Sequence, residues 1–175
     1  MDIKKALLQE HSKNQALKIA SYIGNSQKHF DELMKYFFDD DWRLNQRAAY
    51  TMNFTVERNP QLFKKHMKKA VLNLRTPKHD AVKRNTLRIL ENHTIPEKLL
   101  GTVVDISFEF LASPKEPIAV KYFSMGILFR EAKKEPDLFH EIKVLIDDQM
   151  PLGSPGFRNR GQKILNYIDK FTNIE

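Results

Sequence analysis

The sequence predicts an all-α fold of stacked helical hairpins, and three observations predict it. A proline just before an apolar pair recurs as Pro60-Gln61-Leu62-Phe63, Pro96-Glu97-Lys98-Leu99-Leu100 and Pro136-Asp137-Leu138-Phe139, with the prolines 36 and 40 residues apart. A basic residue early in a helical run keeps the same step at Arg47, Arg84, Lys121 and Arg160, spaced 37, 37 and 39. Between these marks the apolar residues fall at helical spacing on one side. A shared period of this length indicates repeated helix pairs. Each pair buries its apolar face against its neighbours, so the product of such an array is an extended surface, with no single catalytic core.

Residues 1–24 predict a short leading unit. Ile3, Leu7 and Leu8 mark one helix; Ala16, Leu17, Ile19, Ala20 and Ile23 mark the next, ended by Gly24. In the first full unit Ser26 caps a helix whose buried side is Phe30, Leu33, Met34, Phe37 and Phe38. Asp39-Asp40-Asp41 breaks the pattern and complements the dipole of a second helix over Trp42–Glu57. Trp42, at that helix's first turn, reads as a packing residue of the hairpin. Asn59-Pro60 closes the unit, because the residue before proline is pushed out of the α region.

The second unit buries Leu62, Phe63, Met67, Ala70, Val71 and Leu74 in its first helix, turns at Thr76-Pro77-Lys78, and buries Val82, Thr86, Ile89 and Leu90 in its second. The third runs from Leu99 to Phe110, turns at Ser113–Pro117, and continues as Ile118–Lys133. Thr102–Phe110 is rich in β-branched and aromatic residues, but its place in the repeat predicts helix, since context overrides propensity. The helix with Val120, Tyr122, Phe123, Met125, Ile127, Leu128 and Phe129 is apolar all round, which predicts burial. The fourth unit has Leu138, Phe139, Ile142, Leu145 and Ile146, a long turn over 151–156, and a last helix over Arg158–Phe171. Gly101, Gly126 and Gly161 lie inside these helices, and close helix packing is the expected cause.

At 175 residues the chain is expected to be one domain, 1–175, with 41% apolar and 29% charged residues, in the range of globular proteins. It has no cysteine, which excludes disulfides and thiolate catalysis and suits a reducing cytoplasm. The start, Met1-Asp2-Ile3-Lys4-Lys5, leads into an amphipathic stretch with Lys13 and Lys18, so no signal peptide is expected. No apolar run approaches the ~18–20 residues of a membrane span. The six histidines show no metal-ligand spacing, and there is no Gly-rich phosphate loop. No catalytic residue, metal or cofactor is therefore assigned.

Net charge is +7, and it is local. Residues 61–90 hold nine basic residues against Asp80, a charge of +8, so the rest of the chain sums to −1. Lys64, Lys65, Lys68 and Lys69 span an arc of about 140° on the first helix of that repeat. They are candidate phosphate contacts. Arg84 and Arg88 lie one turn apart on the second helix.

The pattern resembles the HEAT repeat family of α-solenoids. The residues that carry the resemblance are Asp80, Val82 and Arg84, with fainter copies at Asp41 with Arg47, at Val120-Lys121 and at Arg160. The resemblance implies a right-handed solenoid of about four antiparallel helix hairpins plus an incomplete N-terminal unit. In each hairpin helix A comes first and helix B lines the concave side. It also implies an Asp–Arg ladder between successive repeats.

The function expected on this basis is non-catalytic: an adaptor or scaffold binding a protein partner through its B helices. The candidate partner-binding residues are Arg43, Arg47, Tyr50, Arg84, Arg88, Lys121, Tyr122 and Arg160, because arginine and tyrosine combine contact area with polar reach. The alternative is a nucleic-acid-binding repeat module using Lys64 to Arg88. A third reading is similarity to the HEAT-like alkylpurine DNA glycosylases, resting on Trp42, Arg43, Arg47, Tyr50 and the adjacent aspartates.

Overall fold

The computed structural model describes residues 1–77 and 79–172, and among these it is helical throughout, with no strand. The chain divides into two compact units, Met1–Thr94 and Ile95–Glu175.

The first unit holds α1 (Ile3–Gln9), α2 (Lys13–Ile23), α3 (Gln27–Phe37), α4 (Trp42–Arg58), α5 (Gln61–Leu72) and α6 (Asp80–Asn92). Short polar residues set the starts: Asp2, Ser12, Ser26 and Asp41 each accept a backbone N–H of the first turn. Gly24 ends α2 at φ 51°, a left-handed angle that suits glycine. A single 3₁₀ turn, Asn73–Arg75, follows α5. The expected turn at 76–78 includes Lys78, which lies outside the described residues. In chain order the helices alternate as A and B: α1 packs on α2 and α3 on α4, while α5 packs on α3 and α4 and leads to α6 through the 3₁₀ turn. The leading unit is thus a complete, if short, pair. The B helices form a continuous layer, with α4 packed between α2 and α6. The core is Ile3, Leu7, Ile19, Ile23, Phe30, Leu33, Phe37, Leu44, Met52, Phe63, Val82 and their neighbours.

The repeat is visible in polar bonds one hairpin apart. Arg58 donates to Ser21 Oγ at 2.6 Å, Asn59 to Asn25 at 3.1 Å, and Gln27 to the Leu62 carbonyl at 3.2 Å. Lys65 and His66 of α5 both reach Asp31 of α3, each at 2.6 Å. Lys65 is the main cause that holds the Asp31 carboxyl well below the usual range; Gln27 and His66 add to it and partial burial opposes them.

The second unit holds α7 (Glu97–Ala112), α8 (Ile118–Ala132), α9 (Phe139–Gln149) and α10 (Pro155–Thr172), with 3₁₀ turns at Pro136–Leu138 and Met150–Leu152. Thr102–Phe110 is helix, as the repeat phase predicts. Val103, Ile106, Ser107, Phe110 and Leu111 fall on its buried side. α10 begins at Pro155, three residues ahead of the expected Arg158, because proline suits a helix start and Ser154 Oγ accepts the Phe157 N–H at 3.3 Å. The core joins Leu111, Met125, Leu128, Phe139, Ile142, Ile146, Phe157, Ile164 and Leu165. Gly161 lets α10 close on α9: an added Cβ would lie 2.8 Å from Met150 Sδ and 3.0 Å from Ile146 Cγ2. Gly126 is buried in α8. Gly101 corrects the packing expectation, since nothing lies within 4 Å of where its Cβ would be.

Candidate functional site

In the first unit α4 spends most of its circumference on the core. Leu44, Ala48, Met52 and Val56 are buried, and so are the polar Asn45 and Asn53. What remains open is a strip at helical spacing: Arg43, Arg47, Tyr50, Phe54 and Glu57. The neighbouring α6 offers the parallel strip Asp80, Arg84, Arg88 and Glu91. Asn53 and Asn85 tie the two helices beneath these strips: Asn53 Nδ2 donates to Asn85 Oδ1 at 2.7 Å and to the Ala49 carbonyl at 3.1 Å.

At the N-terminal end of the strips the charges converge. Arg47 donates to the Leu7 carbonyl at the end of α1, at 2.8 Å. His11, in the turn after α1, stacks on Tyr50 with ring centres 5.7 Å apart. Loss of solvation there holds the imidazole below its ordinary value, and Arg47, Arg84 and His79 push it the same way. His79 also caps α6, its Nδ1 accepting the Ala81 N–H at 3.0 Å. Trp42 stacks on His79 at 6.1 Å, and the Arg43 guanidinium lies 5.2 Å from the indole centre. Trp42 is 51% exposed, which corrects its reading as a packing residue. It is the first residue of α4, where the core side is already filled by Leu44. Among the described residues no carboxylate pairs with Arg84 or Arg88. At the other end Asn53, Glu57, Arg88, Ile89, Asn92 and His93 line an open pocket of about 260 Å³.

The remaining candidates lie in the second unit and are largely spent. Lys121 is only 5% exposed and donates to Gln149, so it is not a surface cation; removal from water holds its ammonium below the ordinary value, against Asp148 and Glu116. Arg160 donates to the Tyr122 carbonyl at 3.0 Å and lies 4.2 Å from the Tyr122 ring centre, leaving both half-buried. The four basic marks therefore share a place early in each B helix but not an environment. Arg47 and Arg160 bind backbone carbonyls of an earlier hairpin, and Asp41 gives its carboxylate to the Arg43 and Leu44 N–H groups of its own helix. These bonds replace the expected Asp–Arg ladder at those marks.

Lys64, Lys65, Lys68 and Lys69 are exposed on α5, as expected. Lys65 is paired with Asp31, and Lys69 lies 4.2 Å from the Phe38 ring centre. Sequence reasoning missed His11, His79 and Glu57. The histidines sit in turns at no repeated spacing, and only Glu57 has a signal, its helical spacing from Tyr50 and Phe54.

Among the described residues no helix is long and apolar enough to cross a membrane, and no group of three or more His, Asp or Glu is placed to hold a metal ion. Paired helices that recur at a period near 38 residues define a helical-repeat protein. The family model described as "HEAT repeat domain" matches residues 3–168, and the chain belongs to that family. No curated protein and no solved structure matches it.

Proposed function

We propose that the chain is a non-catalytic scaffold that binds a protein partner on the B-helix face of its first unit. One observation carries the reading. Arg43, Tyr50, Arg84 and Arg88 stand on the open strips of α4 and α6, without ion pairs to Arg84 or Arg88 among the described residues. Arginines and aromatics in a solvent-facing strip are what protein interfaces use as anchors. The HEAT repeat family supports a role in protein interaction. The lack of cysteine suits a partner met in a reducing cytoplasm.

Nucleic-acid binding has weaker support. The lysines of α5 and the arginines of α6 sit on different helices, and acids flank the arginine strips, Asp41 and Glu57 at the ends of α4 and Asp80 and Glu91 at the ends of α6. A phosphate backbone wants an unbroken cationic track. The test is affinity purification with the tagged full chain from its source cells. A partner retained by the wild type and by Lys64→Ala/Lys68→Ala, but lost with Tyr50→Ala/Arg84→Ala, supports the scaffold. Loss with the lysine variant alone, or recovery of nucleic acid only, defeats it.

A further inference from the structure

We infer that the N-terminal end of the B-helix layer in the first unit is a carboxylate-recognition site, in which Arg47 and Arg84, gathered around His11, take an acidic side chain of an extended protein segment. This rests on the proposed protein-binding role and names the chemistry its partner must present. Three successive hairpins contribute: His11 from the turn between α1 and α2, Arg47 and Tyr50 from α4, and Arg84 with His79 from the third hairpin. The Arg47 bond to Leu7 and the His11–Tyr50 stack hold the turn after α1 against α4, and the Trp42–His79 stack and the Asn53–Asn85 bond hold the start of α6 against the same helix; Arg47, Arg84 and His79 each oppose a proton on His11 through space.

Such a gathering of cations is unfavourable when empty, and an anion relieves it. The ligand is a single carboxylate for two reasons. One guanidinium nitrogen of Arg47 is already spent on Leu7. Asp41 and Asp80 begin the same two helices, so a chain of phosphates laid along this face would meet acids on both sides. A protein segment can place one acid between them.

Proton linkage gives the site its signature. His11 is held below its usual value in the free protein first by loss of solvation and then by Arg47, Arg84 and His79. A bound carboxylate offsets those cations and lets the imidazole take a proton. Binding therefore takes up protons, and affinity rises as pH falls through the histidine range.

The experiment uses the full chain with ¹³C-labelled histidine, read by NMR. The probes are the capped hexapeptide Ala-Ala-Asp-Glu-Ala-Ala, its Asn-Gln counterpart, inorganic phosphate and a dT12 oligonucleotide. The acidic peptide is expected to shift the His11 signal and raise its titration midpoint, and the neutral peptide to do neither. Arg84→Gln should weaken the acidic peptide by roughly five-fold, as for the loss of one charged contact, with Lys68→Gln unchanged. The gain in affinity between about pH 7.5 and 5.5 should vanish in His11→Gln.

Equal response to the neutral peptide, no effect of Arg84→Gln, or a pH gain that survives His11→Gln would overturn the inference. So would tighter binding of phosphate or the oligonucleotide than of the acidic peptide. If the natural partner still depends on Tyr50 and Arg84 while the acidic peptide does not bind, the carboxylate site fails and the scaffold reading stands.

Discussion

A lysine taken out of water must be given an acceptor, and Lys121 shows how that decides a residue's role. Its position in the repeat marked it with the three arginines, yet it ends beside Gln149 inside the second unit. Truncating it leaves a void and an unsatisfied Gln149 oxygen. Lys121→Ala should cost about 2–3 kcal/mol in chemical denaturation, whereas Lys121→Met with Gln149→Leu should fall near wild type, because a buried polar pair can be replaced by apolar groups at little net cost. Asp31 is the acidic counterpart, lowered first by Lys65 and then by Gln27 and His66. A carboxyl whose folded value is depressed adds stability above its unfolded value, near 3.9, and loses it as pH falls toward the folded one. Lys65 is mostly exposed, so the contribution is modest. Asp31→Asn should cost about 1 kcal/mol at neutral pH and flatten the acid side of the stability curve below about pH 4, measured by urea unfolding across pH. Sequence spacing located Lys121 along its helix, but side-chain environment depends on rotation by a fraction of a turn, which a repeat of 37 to 39 residues does not fix.

At the scale of the element, two glycines separate propensity from packing. Both lie inside helices, where glycine is about 1 kcal/mol worse than alanine. Gly101 has open space at its Cβ position, so Gly101→Ala should stabilise the protein by about 0.5–1 kcal/mol. Gly161 faces Met150 and the stiff, β-branched Ile146, so Gly161→Ala should destabilise by about 1–2 kcal/mol despite the better propensity. Thermal melts of the two variants should move in opposite directions. The helices themselves were legible: apolar spacing, prolines and capping residues located them to within three residues, including α7, where β-branched residues pulled the other way. The burial of each glycine was not legible, because it depends on which helix passes opposite, and period alone does not say.

For the whole molecule the question is what a charge of +7 does when nearly all of it sits in one repeat. The repeat phase made the hairpin order readable, and with it the division of the basic stretch between an A helix and a B helix. It could not show that His11 stacks on Tyr50 and His79 on Trp42, because those contacts join a turn of one hairpin to a helix of another that is distant in sequence. That division governs the response to DNA. Lys64, Lys65, Lys68 and Lys69 are on α5, with Lys65 already paired to Asp31, while Arg84 and Arg88 are on α6 between Asp80 and Glu91. Each cluster can neutralise only a few phosphates, so few counterions are released on binding. Duplex DNA should bind no better than the ~10⁻⁴–10⁻⁶ M of backbone-only contact, with a shallow slope of affinity against salt. A titration of labelled duplex at two salt concentrations measures both quantities. Lys64→Ala/Lys68→Ala should remove much of what binding there is, and Arg84→Ala/Arg88→Ala should remove less, since acids flank those arginines. Tight binding that persists near about 0.2 M salt and is lost with Arg84 and Arg88 would mean that α6 carries a phosphate track, and would place the nucleic-acid reading above the scaffold.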